Sequence, residues 1–196
     1  MKLIVIDPGF ASDEGHHYPM NAFISHQARA LGYRSLIVGP VHYENNKIKK
    51  FRRPNFPCRF VLPNHGYEFP FSHTNSELYS IALNMFSFGR SNVGTEEALN
   101  KYIPINRLQD GDIILVHTAF LSSLHGIASW LTKADLPNIK IRIILRFPPW
   151  IYQKRKDIST RLFEETLAAW ERIPAEVIFF TDVQVYTEYI EQRTSL

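Results

Sequence analysis

Six short apolar runs, separated by segments of helical period, constrain the fold of this chain more than any other feature of its sequence. Most of these runs are almost continuously apolar, which is typical of parallel strands that are covered on both faces. Strands that alternate with helices predict an α/β domain with a Rossmann-like, doubly wound, mainly parallel sheet and helices on both faces. The runs are KLIVID (2–7), RSLIVG (34–39), CRFVL (58–62), DIILVH (112–117), IKIRIILRF (139–147) and EVIFFT (176–181).

Helical periodicity fills most of the intervals between the runs. Pro19 lies near the start of the first predicted helix, and Gly32 lies just past its end. The region 40–75 is rich in Pro, Asn, Phe and basic residues and is expected to form a long irregular excursion. The first helix is expected to bury Met20, Phe23, Ile24, Ala28 and Leu31. Further helices are expected around 75–87, 95–103, 120–134, 158–172 and 183–192.

Length and cysteine content restrict the class of protein. With 196 residues, of which 45% are hydrophobic, the chain can bury one sizeable core, so we expect a single domain over 1–196. Its one cysteine, Cys58, excludes a disulfide framework and a cysteine-based zinc site and is typical of a reducing compartment. The N-terminus lacks a signal-peptide pattern, and no apolar run approaches the roughly 20 residues that span a bilayer. We therefore expect a soluble, cytoplasmic protein.

The positive charge of the chain is local. The formal net charge is +3, and the basic excess is concentrated in KIKKFRR at 47–53. This run would attract the anionic inner face of a membrane or a lipid-diphosphate acceptor. The other interpretation is a solvated basic loop. A nucleic-acid footprint is normally broader, and acidic residues are spread along the chain, so no specific nucleic-acid partner is expected.

The predicted sheet defines an edge for ligands before any motif is considered. In doubly wound sheets, ligands bind outside the carboxyl ends of the strands, where the strand order reverses. This rule selects the loop 8–18, His117 with Thr118, the stretch 146–150, and Thr181 with its neighbour. The candidate binding residues on this edge are Asp13, Glu14, Gly15, His16, His17, Arg146 and Asp182.

The stretch DEGHHY (13–18) gives this edge a distinct chemistry. Gly15 would let the backbone approach a ligand, and the first amides of the following helix favour an anion. Because the helix dipole disfavours an imidazolium there, His16 and His17 are expected to be neutral. The second interpretation is that Ser12 or Asp13 caps the helix and that the histidines are surface residues.

Several common signatures are missing. The chain has no Gly-x-Gly-x-x-Gly, no P-loop and no Gly-x-Ser-x-Gly, which argues against dinucleotide-binding, P-loop and serine-hydrolase sites. The adjacent histidines project in different directions, and neither has a Glu or a second His at helical i+4 spacing, so no metal site is expected. DGD at 110–112 precedes its strand, on the edge opposite the ligand edge, and is interpreted as a turn.

Three segments resemble the N-terminal domain of GT-B glycosyltransferases, particularly the retaining family four. The first is a strand that ends in Asp, followed by GHHYPMNAFISHQARALGYRSLIVG (15–39). The second is DGDIILVHTAFLSSLHGIASWL (110–131), and the third is AEVIFFTDVQVYTEYIEQ (175–192). The resemblance covers about two thirds of the chain, and the order and spacing of the segments carry it.

The resemblance implies one half of a GT-B architecture. The domain would bind the acceptor, while a second, C-terminal domain, not present in this chain, would bind the nucleotide sugar. That domain carries two glutamates separated by seven residues in the family, and this sequence has no such pair. The loop 13–17 would then line the cleft near the donor phosphates. No cofactor is expected beyond the nucleotide-sugar substrate, and this chain alone is expected to have little or no transfer activity.

The sequence departs from the family after the fifth predicted strand. Many retaining members have a histidine there that contacts the transferred sugar, but this chain has LRFPPW (145–150) with Arg146. An arginine suits phosphate or carboxylate and does not replace a neutral imidazole. His117 is the candidate for contact with acceptor hydroxyls or for catalysis; alternatively, its ring is simply satisfied by backbone. The alternative function is a non-catalytic α/β module that binds a nucleotide or a sugar.

Overall fold

Six parallel strands form a single sheet in the order β3-β2-β1-β4-β5-β6. The computed structural model describes residues 1–10, 16–41, 58–63, 77–118, 121–133, 135–146 and 156–181. The strands are β1 (Lys2–Ile6), β2 (Arg34–Pro40), β3 (Cys58–Leu62), β4 (Ile113–His117), β5 (Lys140–Leu145) and β6 (Glu176–Thr181). Each predicted apolar run forms a strand, and every strand pairing is parallel, as the continuous apolar runs predict.

Helices lie on both faces of this sheet. On one face, Tyr18 and Ile24 of the first helix pack against Val5 and Ile37. The other face carries the larger core, to which the three later helices contribute buried side chains. The helices are α1 (His17–Ala30), α2 (Glu77–Tyr102), α3 (Leu121–Leu131) and α4 (Lys156–Glu171), with a 3₁₀ turn at Ile105–Arg107. The fold is therefore the predicted Rossmann-like, doubly wound α/β fold.

No helix in the described part of the chain combines the length and the apolar character needed to cross a membrane. The predicted helix 183–192 lies outside the described residues. So does the excursion 40–75, apart from residues 40–41 and 58–63. The helices predicted at 120–134 and 158–172 are confirmed as α3 and α4, with ends that differ by one to three residues.

Helix α1 buries a different face from the one expected. Phe23 and Leu31 are 61% and 73% exposed, so the prediction that they face the core is wrong. The buried residues are His17, Asn21, Ser25 and Ala28, which follow one another at helical spacing. The polar members of this row have partners in the sheet layer, because Asp7 follows β1 and Ser35 lies on β2. Hydrogen bonds to those groups, together with the packing of Tyr18 and Ile24 on the sheet, fix the rotation of α1.

The end of α1 is formed as the sequence predicts. Gly32 has φ 81°, a left-handed conformation that glycine adopts without a Cβ penalty. The Gly32 amide donates to the carbonyl of Arg29 over 3.0 Å, and the Tyr33 amide donates to that of Ala28 over 2.8 Å. This pair of bonds is a Schellman motif, which satisfies the last carbonyls of the helix and turns the chain into β2.

Helix α2 joins two segments that the sequence predicts as separate helices. The predicted break between 87 and 95 contains Gly89 and Gly94, but both residues lie inside one continuous helix. Close packing against α3 accounts for the continuity: a Cβ on Gly126 of α3 would lie 2.6 Å from the Asn92 carbonyl oxygen and 2.8 Å from Cβ of Thr95. Since tertiary packing decides most helical stability, it overrides the weak helix propensity of glycine.

The DGD segment forms the predicted turn at the amino ends of the strands. Gly111 has φ 81°. The Asp110 carboxylate accepts a hydrogen bond from the amide of Asn138 at 2.8 Å. The buried Asp112 carboxylate accepts from the amides of Lys2 at 2.7 Å and Gln109 at 3.0 Å. These acids hold together the edge of the sheet opposite to the ligand edge.

The Gly126 contact predicts a pair of opposite effects on stability. Gly126→Ala places a methyl group against the α2 backbone and is expected to lower the free energy of unfolding by about 1–3 kcal/mol. Gly89→Ala is the matched control, because a Cβ there meets no atom within 4 Å; it is expected to raise the free energy of unfolding by about 0.5–1 kcal/mol. Urea unfolding of both variants measures the two values. A Gly126→Ala protein as stable as the wild type would contradict the proposed close approach.

Candidate functional site

The sheet reverses its strand order between β1 and β4, so a crevice is expected at the carboxyl ends of these two strands. Asp7 follows β1, His117 ends β4 and Arg146 follows β5. The register pairs Ile6 with Val116 and His117 with Ile144. Because side chains alternate along a strand, Asp7, His117 and Arg146 all belong to the α1 face of the sheet.

Asp7 is the centre of the site. Its side chain is fully buried, and its two carboxylate oxygens accept several hydrogen bonds. Nδ1 of His17 lies 3.0 Å from each oxygen, Nδ2 of Asn21 donates to Oδ2 over 2.7 Å, and the Gly9 amide donates to Oδ1 over 3.1 Å. Nδ1 of His117 lies 3.5 Å from Oδ2. This set of donors satisfies a buried carboxylate, which would otherwise be strongly destabilising.

These contacts keep Asp7 ionised. Burial alone would raise the pKa of the Asp7 carboxyl, but its interactions with His117 and His17 outweigh burial and lower the pKa below its ordinary value of 3.8. A carboxylate can only accept hydrogen bonds, so Nδ1 of His17 must carry the proton that lies between the two groups. Asp7 therefore orients the His17 ring and directs its Nε2 away from the carboxylate.

Local sequence explains how His17 reaches this position. His17 and Asn21 are one helical turn apart at the start of α1, so both side chains reach the same carboxylate. Gly9 leaves room for the ring: a Cβ there would lie 2.4 Å from Cε1 of His17 and 2.9 Å from its Nε2. A side chain at position 9 would displace the imidazole.

Three imidazole rings gather above Asp7. His16 is exposed and stacks on His17, with ring centroids 4.2 Å apart. The His117 ring lies 5.9 Å from the His17 ring, at right angles to it. Partial desolvation, followed by the charges of the neighbouring histidines and of Arg146, lowers the pKa of His16. A lowered pKa favours the neutral form that the sequence predicts for His16.

His117 and Thr118 form the buried wall of the site. The His117 side chain is fully buried; its Nδ1 lies 2.9 Å from Oγ1 of Thr118, and its Nε2 has no hydrogen-bond partner in the described ranges. Thr118 has φ 54°, an unusual conformation for a β-branched residue, which costs about 1–3 kcal/mol. An unpaired buried nitrogen and backbone strain at adjacent residues are typical of a functional position.

Arg146 contributes the permanent positive charge. It is half-buried immediately after β5, and its buried Nε has no hydrogen-bond partner among the residues that the structure describes. Its charge contributes to the lowered pKa of His16, so the two groups share one electrostatic environment. A guanidinium with unused donors suits a phosphate or carboxylate group.

The structure brings together four of the residues selected from the sequence: His16, His17, His117 and Arg146. The other four are Asp13, Glu14, Gly15 and Asp182, which lie outside the described residues, as does the basic run 47–53.

Ser12 and Asp13, one of which caps α1 in the second interpretation, lie outside the described residues. The helix begins at His17, and His16 occupies the N-cap position without a side-chain cap.

Sequence reasoning missed Asp7, Gly9 and Asn21. Two signals were present: a charged residue directly after an apolar strand, and the polar row His17, Asn21 and Ser25 at helical spacing. The apolar pattern on the neighbouring face of α1 concealed the second signal.

Asp7, His17 and His117 also offer one ligand atom each within 4.8 Å of one another, an arrangement that can hold a metal ion. Sequence spacing could not indicate this group, because its members come from β1, α1 and β4. The hydrogen-bond pattern fits a protonated network better than a metal. An ion on Nδ1 of His117 would leave a buried Nε2–H without an acceptor, and ligating histidines normally donate that hydrogen.

The buried network predicts the effect of Asp7→Asn on stability. The substitution removes the charge and one acceptor, so we expect the free energy of unfolding at pH 7 to fall by about 2–3 kcal/mol. The folded pKa of Asp7 lies below the unfolded value, so its contribution is full above about pH 3.8 and is lost as the pH falls through the folded pKa. The difference in the free energy of unfolding between wild type and variant should therefore become smaller in acid. Urea unfolding at several pH values measures it.

Asp135→Asn is the matched control for this measurement, because Asp135 is exposed. We expect it to change the free energy of unfolding by less than about 0.5 kcal/mol at every pH. An Asp7→Asn protein that matches this control at pH 7 would show that the network does not stabilise the fold.

Comparison of the chain with protein-family models, with curated proteins and with solved structures finds no match. The chemistry of the site therefore has to be argued from its own residues.

Proposed function

We propose that this chain is the acceptor-side domain of a GT-B-type glycosyltransferase, which transfers a sugar from a nucleotide-sugar donor to a hydroxyl of a glycan or of a lipid-linked saccharide. One observation carries the proposal: His16, His17 and His117 gather around Asp7 at the reversal point of the sheet, and the charge of Arg146 acts on His16. Neutral imidazoles suit hydroxyl groups, and a guanidinium suits phosphate. A substrate pair of a polyol and a diphosphate needs both kinds of group.

Each part of the site has a role in such a transfer. The bond between the sugar carbon and the donor diphosphate breaks, the acceptor oxygen forms the new glycosidic bond, and the proton of the acceptor hydroxyl passes to the departing diphosphate. Negative charge develops on the departing diphosphate, where Arg146 and the first amides of α1 would stabilise it. The histidines would hold hydroxyl groups of the acceptor in position, which supplies orientation.

Two further parts of the proposal concern a second domain and the basic run 47–53, which lies outside the described residues. In the GT-B family, the nucleotide sugar binds to a second domain, so we propose that full activity needs such a domain in addition to this one. We also propose a cytoplasmic location, with the basic run 47–53 facing the inner surface of the membrane. No nucleic-acid partner and no metal cofactor form part of the proposal.

Arg146→Gln tests the phosphate-binding part. Calorimetry and NMR titration with inorganic pyrophosphate, which carries the diphosphate group of the donor, should detect binding to the wild-type protein. Loss of one charge-assisted contact is expected to weaken that binding about tenfold or more. Arg161→Gln is the matched control, because this arginine on α4 has a side chain that is 82% exposed, and it should leave the binding unchanged.

The outcomes separate the two functions that remain open. Release of nucleoside diphosphate from a nucleotide sugar and a saccharide acceptor, when the second domain is present, supports the transferase. Saccharide binding without any such release favours the non-catalytic sugar- or nucleotide-binding module. A folded protein that binds neither pyrophosphate nor saccharides would contradict both.

A further inference from the structure

The hydrogen-bond partners of His117 determine where its proton lies. Its Nδ1 has two neighbours: Oγ1 of Thr118 at 2.9 Å and Oδ2 of Asp7 at 3.5 Å. A hydroxyl can donate or accept, whereas an ionised carboxylate only accepts. A lone pair on Nδ1 would therefore face a buried negative charge. The stable arrangement places the hydrogen of His117 on Nδ1, as Asp7 also requires of His17.

This tautomer leaves Nε2 of His117 as a bare acceptor. The nitrogen is buried and has no hydrogen-bond partner in the described part of the chain. An unsatisfied buried polar atom destabilises the fold, so a group that donates a hydrogen bond to this nitrogen would bind favourably. The ring ends β4, directly beside the reversal point of the sheet, where ligands of this fold class bind.

The lone pair also restricts the chemistry of the ligand. An anionic oxygen has no hydrogen to give and would be repelled by Nε2, whereas a hydroxyl donates to it. Arg146 offers the opposite preference, because a guanidinium only donates. The site thus divides into an acceptor for hydroxyl groups at His117 and a donor for anions at Arg146.

We propose that Asp7 is a positioning residue that holds His17 and His117 in the Nδ1–H tautomer, and that Nε2 of His117 accepts a hydrogen bond from a hydroxyl of a saccharide. Assigning that hydroxyl to a saccharide rests on the proposed function, whereas the tautomer assignment rests on the contacts of the ionised Asp7 carboxylate and is independent of that function. Asp7 acts through the two rings and needs no contact with the ligand.

The wild-type protein tests the tautomers directly. Long-range ¹H–¹⁵N spectra of the full-length, ¹⁵N-histidine-labelled protein near pH 8 distinguish a protonated from an unprotonated ring nitrogen. We expect Nδ1 protonated and Nε2 unprotonated in both His17 and His117. The Nε2–H tautomer in His117 would overturn the positioning role, while leaving the proposed transferase function open.

Variants separate positioning from folding. Asp7→Asn should change the tautomer populations of both rings, and Asp135→Asn should leave them unchanged. If Asp7→Asn does not fold, Thr118→Val replaces it, because the hydroxyl is lost while the carboxylate stays. His117 should then keep its Nδ1–H form. A switch to Nε2–H in Thr118→Val would assign the control of the tautomer to Thr118 and overturn the role of Asp7.

Ligand titrations test the second half of the proposal. A mixture of methyl glycosides of glucose, galactose and mannose should shift the Nε2 signal of His117. Inorganic pyrophosphate should instead shift the Nε signal of Arg146. Correct tautomers with no response to the glycosides would overturn the hydroxyl contact and count against the proposed function. Zn²⁺ that displaces the Nδ1 hydrogens of both rings would identify a metal site and overturn the proposal.

Discussion

A buried carboxylate at the reversal point of the sheet is the constraint on which this site depends. Asp7 can stay ionised inside the fold only because donors from three different segments converge on it. That requirement helps to fix the rotation of α1 and excludes a side chain at Gly9. It also orients the His17 and His117 rings. The local geometry of the site therefore follows from the stabilisation of one buried charge. The apolar pattern determines less of the geometry here than elsewhere in the molecule.

The architecture could be predicted because its determinants are local. Six apolar runs of strand length, with helical segments between them, allow few arrangements other than a doubly wound parallel sheet. Turns and caps at Gly32 and Gly111 could also be predicted, because their positive φ angles favour glycine. The prediction of two separate helices in the place of α2 was wrong for a different reason. The close approach of Gly126 to α2 is a contact between distant segments, and no local signal at Gly89 or Gly94 reports it.

The site could be predicted only in part. The rule for the carboxyl ends of strands selected His117 and Arg146, and the unusual loop composition selected the two adjacent histidines. Asp7 was harder to find because its importance lies in contacts with α1 and β4, which the sequence does not specify. The prediction of which face of α1 is buried was wrong for the same reason. Hydrophobic periodicity assumes that apolar groups face inward, and a buried charge on the sheet reverses that preference over one turn of helix.

The same carboxylate explains why neutral and charged groups coexist within one small site. A cluster of three histidines beside an arginine would repel itself if the rings were protonated. Desolvation lowers the pKa of His16 first, and the neighbouring positive charges lower it further. Asp7 supplies the compensating negative charge from below, and it leaves lone pairs, instead of further N–H donors, on the far side of the rings it orients. A site with only donors would select phosphates alone. In the proposed function, an oriented imidazole acceptor and a guanidinium donor together would favour ligands that carry both a hydroxyl and an anionic group, which is the chemistry of a sugar bound next to a diphosphate.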